Sequence, residues 1–373
     1  MDASAPRRRG YRELIALVAV QSLGNPMSTS FWLVYLVGPP HALPFGVATL
    51  VWFLAFAIAL AIVPLYARGR PVRSTPSMSL GLGAMVLAHL SFAALPAPLA
   101  VVAGAAGFGV YIPAFWLPLN VLVSRETSRG NRAGRMAGVT ATFTIVSVAS
   151  PAIGGLIAQA FGYPVLFTVS AGIVGGNLLL VRGLAQREES FAYAIDLRRT
   201  GARTCLAFSG QGASEGLLTA ALPLASFLFT TAAVELGLLF AFFSLASAVA
   251  MYALGRVSDR VRARTPFLVL GPALSVPASL LAFLAVNRDL GTFALANGWL
   301  AMTSVIAPSF ILTILLDRME DALPAAIGTR EVLLNLSRTV ALGAGLVLLA
   351  AGAGVEVLFL LVGVAVVLQA LAR

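Results

Sequence analysis

The sequence predicts an all-α membrane protein with twelve transmembrane helices in two pseudo-symmetric bundles of six. Of the 373 residues, 59% are hydrophobic, and the mean hydropathy is +0.92, whereas a soluble domain is about 45–50% apolar. Apolar runs of about 20 residues recur along the chain, and each is long enough to cross the ~30 Å hydrocarbon core of a bilayer as a helix. A connector that occurs in both halves of the chain indicates that the two bundles are related.

The predicted helices are the apolar runs that lie between charged or Pro/Gly-rich connectors. In chain order they are 14–37, 46–67, 75–95, 98–123, 136–160, 163–182, 204–229, 236–255, 266–286, 291–316, 324–350 and 355–372. The polar connector 183–203 is the longest, and it divides the chain into an N-terminal bundle (1–182) and a C-terminal bundle (204–373). We interpret it as a cytoplasmic linker with room for an amphipathic helix.

The arginines set the predicted orientation in the membrane. The 25 cationic residues are all arginine, and arginine-rich connectors alternate with connectors that carry almost none; only Arg288, Arg330 and Arg338 lie outside the arginine-rich set. Because arginine-rich connectors stay on the cytoplasmic side, we expect a multi-pass protein of the cell membrane with both termini in the cytoplasm. The net charge of +10 then reflects orientation and contact with anionic lipid, and no nucleic-acid partner is expected.

The composition argues against an enzyme, a metal site or a cofactor. The chain has one cysteine, Cys205, and two histidines, which are too few for a metal-ligand cluster. It has no glycine-rich nucleotide loop, so direct ATP driving is not expected. A membrane-embedded enzyme would need clustered His, Asp or Glu side chains at one interface, and the sequence has no such cluster. We expect a monomer without a cofactor.

The repeated connector reads YARGRPVRSTP at 66–76 and YALGRVSDRVRARTP at 252–266. Both copies open with Tyr-Ala-x-Gly-Arg and close with Thr-Pro. Within the second copy, GRVSDRVRAR resembles the Gly-x-x-x-Asp-Arg-x-x-x-Arg connector of the major facilitator superfamily, a family of secondary transporters. The resemblance in architecture covers essentially the whole chain.

This resemblance implies a cytoplasmic gate. By the family pattern, Gly255 allows a turn, Asp259 caps a helix of the other bundle, and Arg260 and Arg264 are the gate cations. A carboxylate at a helix N-terminus contributes ~0.3–1 kcal/mol. The first copy departs from the pattern because it lacks the aspartate. The alternative is that these arginines only anchor the connector at the cytoplasmic face.

A second resemblance lies in the fifth predicted helix, in SVASPAIGG at 147–155. Pro151, Gly154 and Gly155 match the glycine-proline motif of antiporters in the same superfamily, and Ser150 replaces a glycine of that motif. The resemblance implies export by antiport. Ordinary close packing of small residues against another helix is the alternative.

Ionisable side chains at membrane depth are costly and are functional candidates by default. Glu215 lies near the middle of the seventh predicted helix, and Arg338 is similarly deep in the eleventh. Glu331, Asn335 and Arg338 share one helix face because they follow i, i+4, i+7 spacing. In the major facilitator fold these two helices are neighbours, so Glu215 can pair with Arg338. These four residues are candidates for proton and substrate coupling, with a fixed structural ion pair as the alternative.

Other polar side chains are candidates for lining a central cavity: Gln21, Asn25, Tyr111, Trp116, Asn120 and Gln211. Gly24 and Pro26 are expected to interrupt the first helix near its middle, and interrupted helices at mid-depth mark transporter sites. The alternative for Gln21 and Asn25 is that they only satisfy the polar groups that the kink leaves free. His89 is expected to be packed or interfacial. The phenylalanine runs FLAFAIAL and FAFFS are interpreted as lipid-facing or packing residues.

These features favour a secondary transporter that works by alternating access. The leading hypothesis is proton-coupled export of a small organic or amphiphilic compound. Uptake or uniport of an anionic organic solute that binds at Arg338 is the second hypothesis, and a non-transporting receptor is the third. The expected partners are a small-molecule substrate, protons and the lipid bilayer.

Reporter fusions at two sites test the predicted orientation. A reporter fused after Arg203 should give a cytoplasmic signal and a reporter inserted within 38–45 an external one, because the alternation of connectors assigns these sites to opposite faces. Equal signals at the two sites would overturn the twelve-helix interpretation.

Overall fold

The structure, a computed structural model, describes residues 5–68, 70–125, 132–184, 188–261 and 265–372; side chains are described outside 5–11, 132–141, 144, 255–261 and 265. Most of the described chain is α-helical. Within it, eight helical stretches are long and apolar enough to cross a membrane. The predicted class, an all-α membrane protein, is therefore confirmed.

Sixteen α-helices follow one another along the described chain. They are α1 (Ala5–Thr29), α2 (Trp32–Val37), α3 (Phe45–Tyr66), α4 (Ser74–Ala94), α5 (Ala97–Tyr111), α6 (Leu117–Arg125), α7 (Arg132–Phe161), α8 (Tyr163–Leu184), α9 (Leu197–Thr200), α10 (Ala202–Phe227), α11 (Ala233–Val261), α12 (Thr265–Ala285), α13 (Leu290–Ser304), α14 (Ile306–Arg318), α15 (Leu323–Ala350) and α16 (Val357–Val367). A π-helical turn (Ile112–Trp116) joins α5 to α6, and 3₁₀ turns flank α15 and α16 at Glu320–Ala322 and Leu368–Leu371. Each predicted apolar segment coincides with one helix or with two consecutive helices.

The first predicted helix is interrupted later than the sequence indicates. Helix α1 continues through Pro26 to Thr29, and the break falls at Ser30 and Phe31. A proline removes the hydrogen bond to the preceding turn without ending the helix when neighbouring helices support it. Gly24 serves packing instead, because a Cβ atom at this position would lie 2.8 Å from Cγ2 of Ile173 in α8.

The second copy of the repeated connector (252–266) is shorter than predicted, because α11 continues to Val261. The run from Leu254 to Val261 has no proline, so the helix meets no residue that forbids its continuation. Gly255 therefore lies within the helix and not in a turn, which corrects the role given to it. The side chains of Gly255, Asp259 and Arg260, and Arg264 altogether, lie outside the described residues, and the gate stays a prediction.

Helices of the two halves pack in the same pattern. In 5–184 the helix pairs in contact include α1 with α7 and α8, α4 with α5 and α8, α3 with α5, and α7 with α8. In 202–371 the corresponding pairs are α10 with α15 and α16, α12 with α13 and α16, α11 with α13, and α15 with α16. The fold thus repeats the order of helix contacts, in agreement with the repeat in the connector sequence.

Two crossings hold the halves together, α7 against α11 and α3 against α15. They are equivalent under the repeat, because each joins the fifth helix of one half to the second helix of the other. At the first crossing Gly155 faces Gly237, and a Cβ atom at Gly237 would lie 2.6 Å from the carbonyl oxygen of Pro151. Glycine is needed there because the two backbones approach too closely for any side chain.

The linker between the halves is an ordered strap, 188–200, with a single helical turn (α9) in place of an amphipathic helix. On one side, β2 (Ser190–Phe191) pairs antiparallel with β1 (Val72–Arg73). Glu188 and Glu189 form ion pairs with Arg73 and Arg125, the latter at 2.6 Å. These contacts attach the strap to the first half.

The other end of the strap contacts the second half. The main-chain N–H of Asp196 donates to Oγ1 of Thr329 at 2.8 Å, and Arg199 pairs with Asp321. The hydrogen bond from Arg199 holds the pKa of the Asp321 carboxyl below its ordinary value. The strap and the connectors that it contacts lie at one end of the helices, and all belong to the set that the sequence identifies as arginine-rich.

Substituting Gly237→Ala tests the glycine crossing. The added methyl group has no space beside Pro151, so α7 and α11 must separate, and overpacking of this kind typically costs ~1–3 kcal/mol. Thermal unfolding in detergent should show a lower Tm. Gly176→Ala in α8 is the matched control, because a Cβ atom there meets nothing within 4 Å; its Tm should be unchanged or higher. Equal Tm values would mean that the crossing is not tight.

Candidate functional site

The structure brings Glu215 and Arg338 together. Nη2 of Arg338 donates to Oε2 of Glu215 at 2.5 Å, across the contact between α10 and α15. Both residues lie near the middle of long helices, with Glu215 ~20 Å from the start of α10 at 1.5 Å per residue. The side chain of Arg338 is 15% exposed and that of Glu215 is 39% exposed. The pair is therefore inside the bundle, with the carboxylate beside open space.

Two glycines position this pair. A Cβ atom at Gly216 would lie 2.9 Å from Cα of Arg338, and one at Gly212 would lie 2.5 Å from the carbonyl oxygen of Leu334. Gly212 and Gly216 are spaced i, i+4, so they form one groove on α10 in which α15 rests. Glu215 precedes the second glycine, and this close approach lets its short side chain reach Arg338.

Further contacts hold both charged groups in place. Nε2 of Gln211 donates to Oε1 of Glu215 at 2.8 Å, and Nη1 of Arg338 donates to Oδ1 of Asn335 at 3.2 Å. The guanidinium carbon of Arg338 lies 5.2 Å from the ring centroid of Phe56 in α3, within cation–π range. The site is thus built from both halves of the chain.

Glu331 belongs to a different ion pair. Its Oε1 accepts from Nη1 of Arg330 at 2.6 Å, and its side chain is 5% exposed. Only its main-chain oxygen joins the first network, by accepting from Nδ2 of Asn335 at 2.8 Å. The predicted face of α15 is therefore connected through Asn335, while the Glu331 carboxylate is paired with Arg330 and not with Arg338.

A cavity of about 340 Å³ lies between the halves, next to the ion pair. Its lining comes from α1 and the residue after it, from α3, α5, α10 and α11. The lining residues are Thr29, Ser30, Trp52, Phe56, Phe108, Leu218, Thr219, Leu222, Pro223, Phe240, Phe243 and Ser244. Phe56 joins the cavity wall to Arg338, and Thr219 lies one helical turn after Glu215 on the same face of α10.

The six predicted lining residues do not line this cavity. They are Gln21, Asn25, Tyr111, Trp116, Asn120 and Gln211. Most of them pack within one half, because amide and phenol groups find partners there: Nε2 of Gln21 donates to the Tyr111 hydroxyl at 2.7 Å, and Oε1 of Gln21 accepts from Asn177 at 3.0 Å. Trp116 packs against the Tyr111 ring with a centroid distance of 6.4 Å. Gln211 instead donates a hydrogen bond to Glu215.

The remaining predictions concern His89 and the phenylalanine runs. His89 is packed as expected, fully buried with its ring edge-on to Trp32 at 5.8 Å. Phe242 is exposed, at 39%, whereas Phe56, Phe240 and Phe243 are packed in the core, and these three also line the cavity. The i, i+4 spacing of Phe240 and Ser244 is the signal that marks their shared face.

The antiporter-like motif has a packing role in the structure. Oγ of Ser150 donates to the carbonyl oxygen of Leu23 at 2.5 Å, and a Cβ atom at Gly154 would lie 3.1 Å from Phe31. Pro151 and Gly155 form the crossing with α11 described above. The motif therefore joins α7 to α1 within its own half and to α11 of the other half.

Comparison with known proteins identifies no family for this chain. No family model matches the chain, and no curated protein matches it. Among the residues that the structure describes, no group of three His, Cys, Asp or Glu side chains is placed to hold a metal ion. The fold and the site together define an α-helical membrane protein with an ion pair inside the helix bundle, beside a cavity between its two halves.

Removing one partner of the ion pair tests how strongly it is coupled. Arg338→Ala leaves the Glu215 carboxylate without its partner, which costs ~3–5 kcal/mol for a fully buried pair. We expect the lower end, because Glu215 is 39% exposed. The Glu215→Gln/Arg338→Ala double variant should be more stable than Arg338→Ala alone, as measured by thermal unfolding in detergent. Arg198→Ala, at an exposed position of the strap, is the control and should change stability by less than ~0.5 kcal/mol. Additive effects of the two substitutions would show that the two side chains are uncoupled.

Proposed function

We propose that this protein is a secondary active transporter of the major facilitator type, which works by alternating access and exports a small organic compound in exchange for protons. In this proposal twelve helices cross the membrane, the two halves are its moving bundles, and both termini are cytoplasmic. The observation that carries the proposal is the Glu215–Arg338 pair, which lies beside a cavity lined by both halves.

The arrangement of helices supports alternating access. The two halves repeat the same helix contacts, and they meet at two equivalent crossings, α7 with α11 and α3 with α15. Two similar bundles around a central site can rock against each other with little internal change, as transporters built from repeats do. The cavity has lining residues from each half, so this motion would change its access from one face to the other.

The ion pair supports proton coupling. A protonated Glu215 no longer neutralises Arg338, so the guanidinium must turn to its other neighbours, the Asn335 side chain and the Phe56 ring. Because Phe56 lines the cavity, movement of Arg338 changes the cavity wall. Proton binding and substrate binding are thereby linked through Phe56, which is the reciprocal coupling that exchange transport requires.

Glu215→Gln in proteoliposomes tests the proposal. Glutamine keeps the shape and can hydrogen-bond but cannot carry a proton. With an imposed pH gradient and a panel of neutral, anionic and cationic organic solutes, the wild type should accumulate a solute against its gradient. Glu215→Gln should still exchange that solute down its gradient and should lose pH-driven accumulation.

The matched control is Glu235→Gln, which removes an exposed carboxylate near the start of α11 and should leave pH-driven accumulation intact. If Glu215→Gln transports with unchanged pH dependence, the pair is structural, and the coupling group is Glu331 or the protein is a uniporter. Accumulation of anions alone, lost in Arg338→Ala, would favour the uptake hypothesis. Absence of flux for every solute in the wild type would favour a receptor.

A further inference from the structure

We infer that the cavity between the halves binds a neutral aromatic compound with a hydrogen-bonding group on its ring. This inference rests on the proposed function, since it takes the cavity as the substrate site of the transporter. It goes further by choosing among substrate classes that the ion pair alone leaves open.

Five of the twelve residues that line the cavity are aromatic. Trp52, Phe56 and Phe108 belong to the first half, and Phe240 and Phe243 belong to the second. Trp52 and Phe108 meet edge to face with centroids 4.9 Å apart. The lining therefore includes rings in different orientations. Aromatic pairs favour offset-stacked and edge-to-face contacts, and a flat aromatic ligand can make either with these rings.

Two hydroxyl groups in the cavity lining, one from each half, are available to a ligand. Oγ1 of Thr29 and of Thr219 donate to main-chain oxygens of their own helices. In the described part of the chain, the hydroxyl groups of Ser30 and Ser244 make no hydrogen bond, and both residues line the cavity. Ser30 follows α1 and Ser244 lies in α11, so a ligand that bonds to both would bridge the two halves.

The charge of the lining selects a neutral ligand. None of the residues that line this cavity is ionisable, and a charged ligand would lose its hydration without gaining a counter-ion. The nearest charges, Glu215 and Arg338, neutralise each other at 2.5 Å. Arg338 also donates to Asn335 and lies over the Phe56 ring, so its guanidinium is already occupied.

The volume limits the ligand to a small molecule. At about 340 Å³ the cavity lies at the lower end of the ~300–1,000 Å³ range of small-molecule sites. A fused two-ring aromatic with one hydroxyl group suits both this space and the two serines. Naphthol is therefore the probe, with naphthalene sulfonate as its anionic analogue and naphthylmethyl trimethylammonium as its cationic analogue.

Equilibrium dialysis of the purified full-length protein in detergent measures binding of the three probes, with protein-free micelles as the blank. Naphthol should bind saturably, at least tenfold more tightly than either charged analogue. Phe240→Leu should weaken naphthol binding at least fivefold, whereas Phe242→Leu, at an exposed position outside the lining, should not. Ser244→Ala should weaken naphthol binding severalfold and leave binding of unsubstituted naphthalene unchanged.

Ser279→Ala is the control for the serine substitution, because its hydroxyl donates to the Ser275 carbonyl in α12 and is outside the cavity lining. Each variant is first compared with the wild type by thermal unfolding, and Phe240→Leu and Ser244→Ala serve as independent tests if one of them does not fold. Tighter binding of either charged analogue, no saturable binding of naphthol, or naphthol binding that neither cavity variant weakens would overturn the inference.

The result of this binding experiment is independent of the transport test, because it uses neither a membrane nor a gradient. Preferred binding of the sulfonate would overturn the substrate class and leave transport to be judged by flux. Cavity-dependent naphthol binding combined with an absence of flux would support the site and overturn the transport proposal.

Discussion

Close contact between helix backbones at glycine is the constraint on which the rest of this structure depends. Apolar side chains gain little from leaving lipid, so membrane helices associate through tight packing and polar contacts. Gly155 and Gly237 allow α7 and α11 to cross between the halves, and Gly212 and Gly216 allow α15 to rest on α10. The first contact joins the halves, and the second brings Arg338 within reach of Glu215. Larger residues at these four positions would push the helices apart, and the residues of the site would then no longer be in contact.

Several features were predictable from the sequence because they depend on local composition. Apolar runs between charged connectors identify the helices, and the rarity of membrane-embedded charge singles out Glu215 and Arg338. The break after Thr29 was misplaced because continuation of the helix at Pro26 depends on support from neighbouring helices. The end of α11 was misplaced because the charged residues after Leu254 mark a connector by composition, although none of them ends a helix as proline does. The cavity was missed for a related reason. Its wall is made of aromatic, aliphatic and hydroxyl side chains that helix packing brings together from distant parts of the sequence. The conspicuous amide groups of Gln21 and Asn177 instead hydrogen-bond to each other inside one half.

The contacts between the halves differ in strength according to their exposure and packing. The ion pairs of the strap, such as Arg199 with Asp321, are exposed, and exposed pairs contribute little to stability. The glycine crossing of α7 with α11 lies near the other ends of these helices and is tightly packed, so separating it costs more. Under the proposed function, a motion that opens the arginine-rich end would break the strap contacts before it separates this crossing.

Under the proposed mechanism, the strap between the halves is attached to each half with a different strength. It is joined to the first half by the β1–β2 ladder and to the second half by Thr329 and Asp321. Rocking of the two halves would strain the attachments of the strap to both halves. The attachment with fewer bonds between backbone groups should break first. That is the second half, where the main chain of the strap bonds to side chains only: the Asp196 N–H to the Thr329 hydroxyl, and the Thr200 carbonyl to the Arg318 guanidinium. The strap would then remain with the first half, and the Arg199–Asp321 pair would close and open with the arginine-rich face of the cavity. The repeat in the fold therefore does not make the two halves equivalent at this face, because the single linker is bound more firmly to one of them.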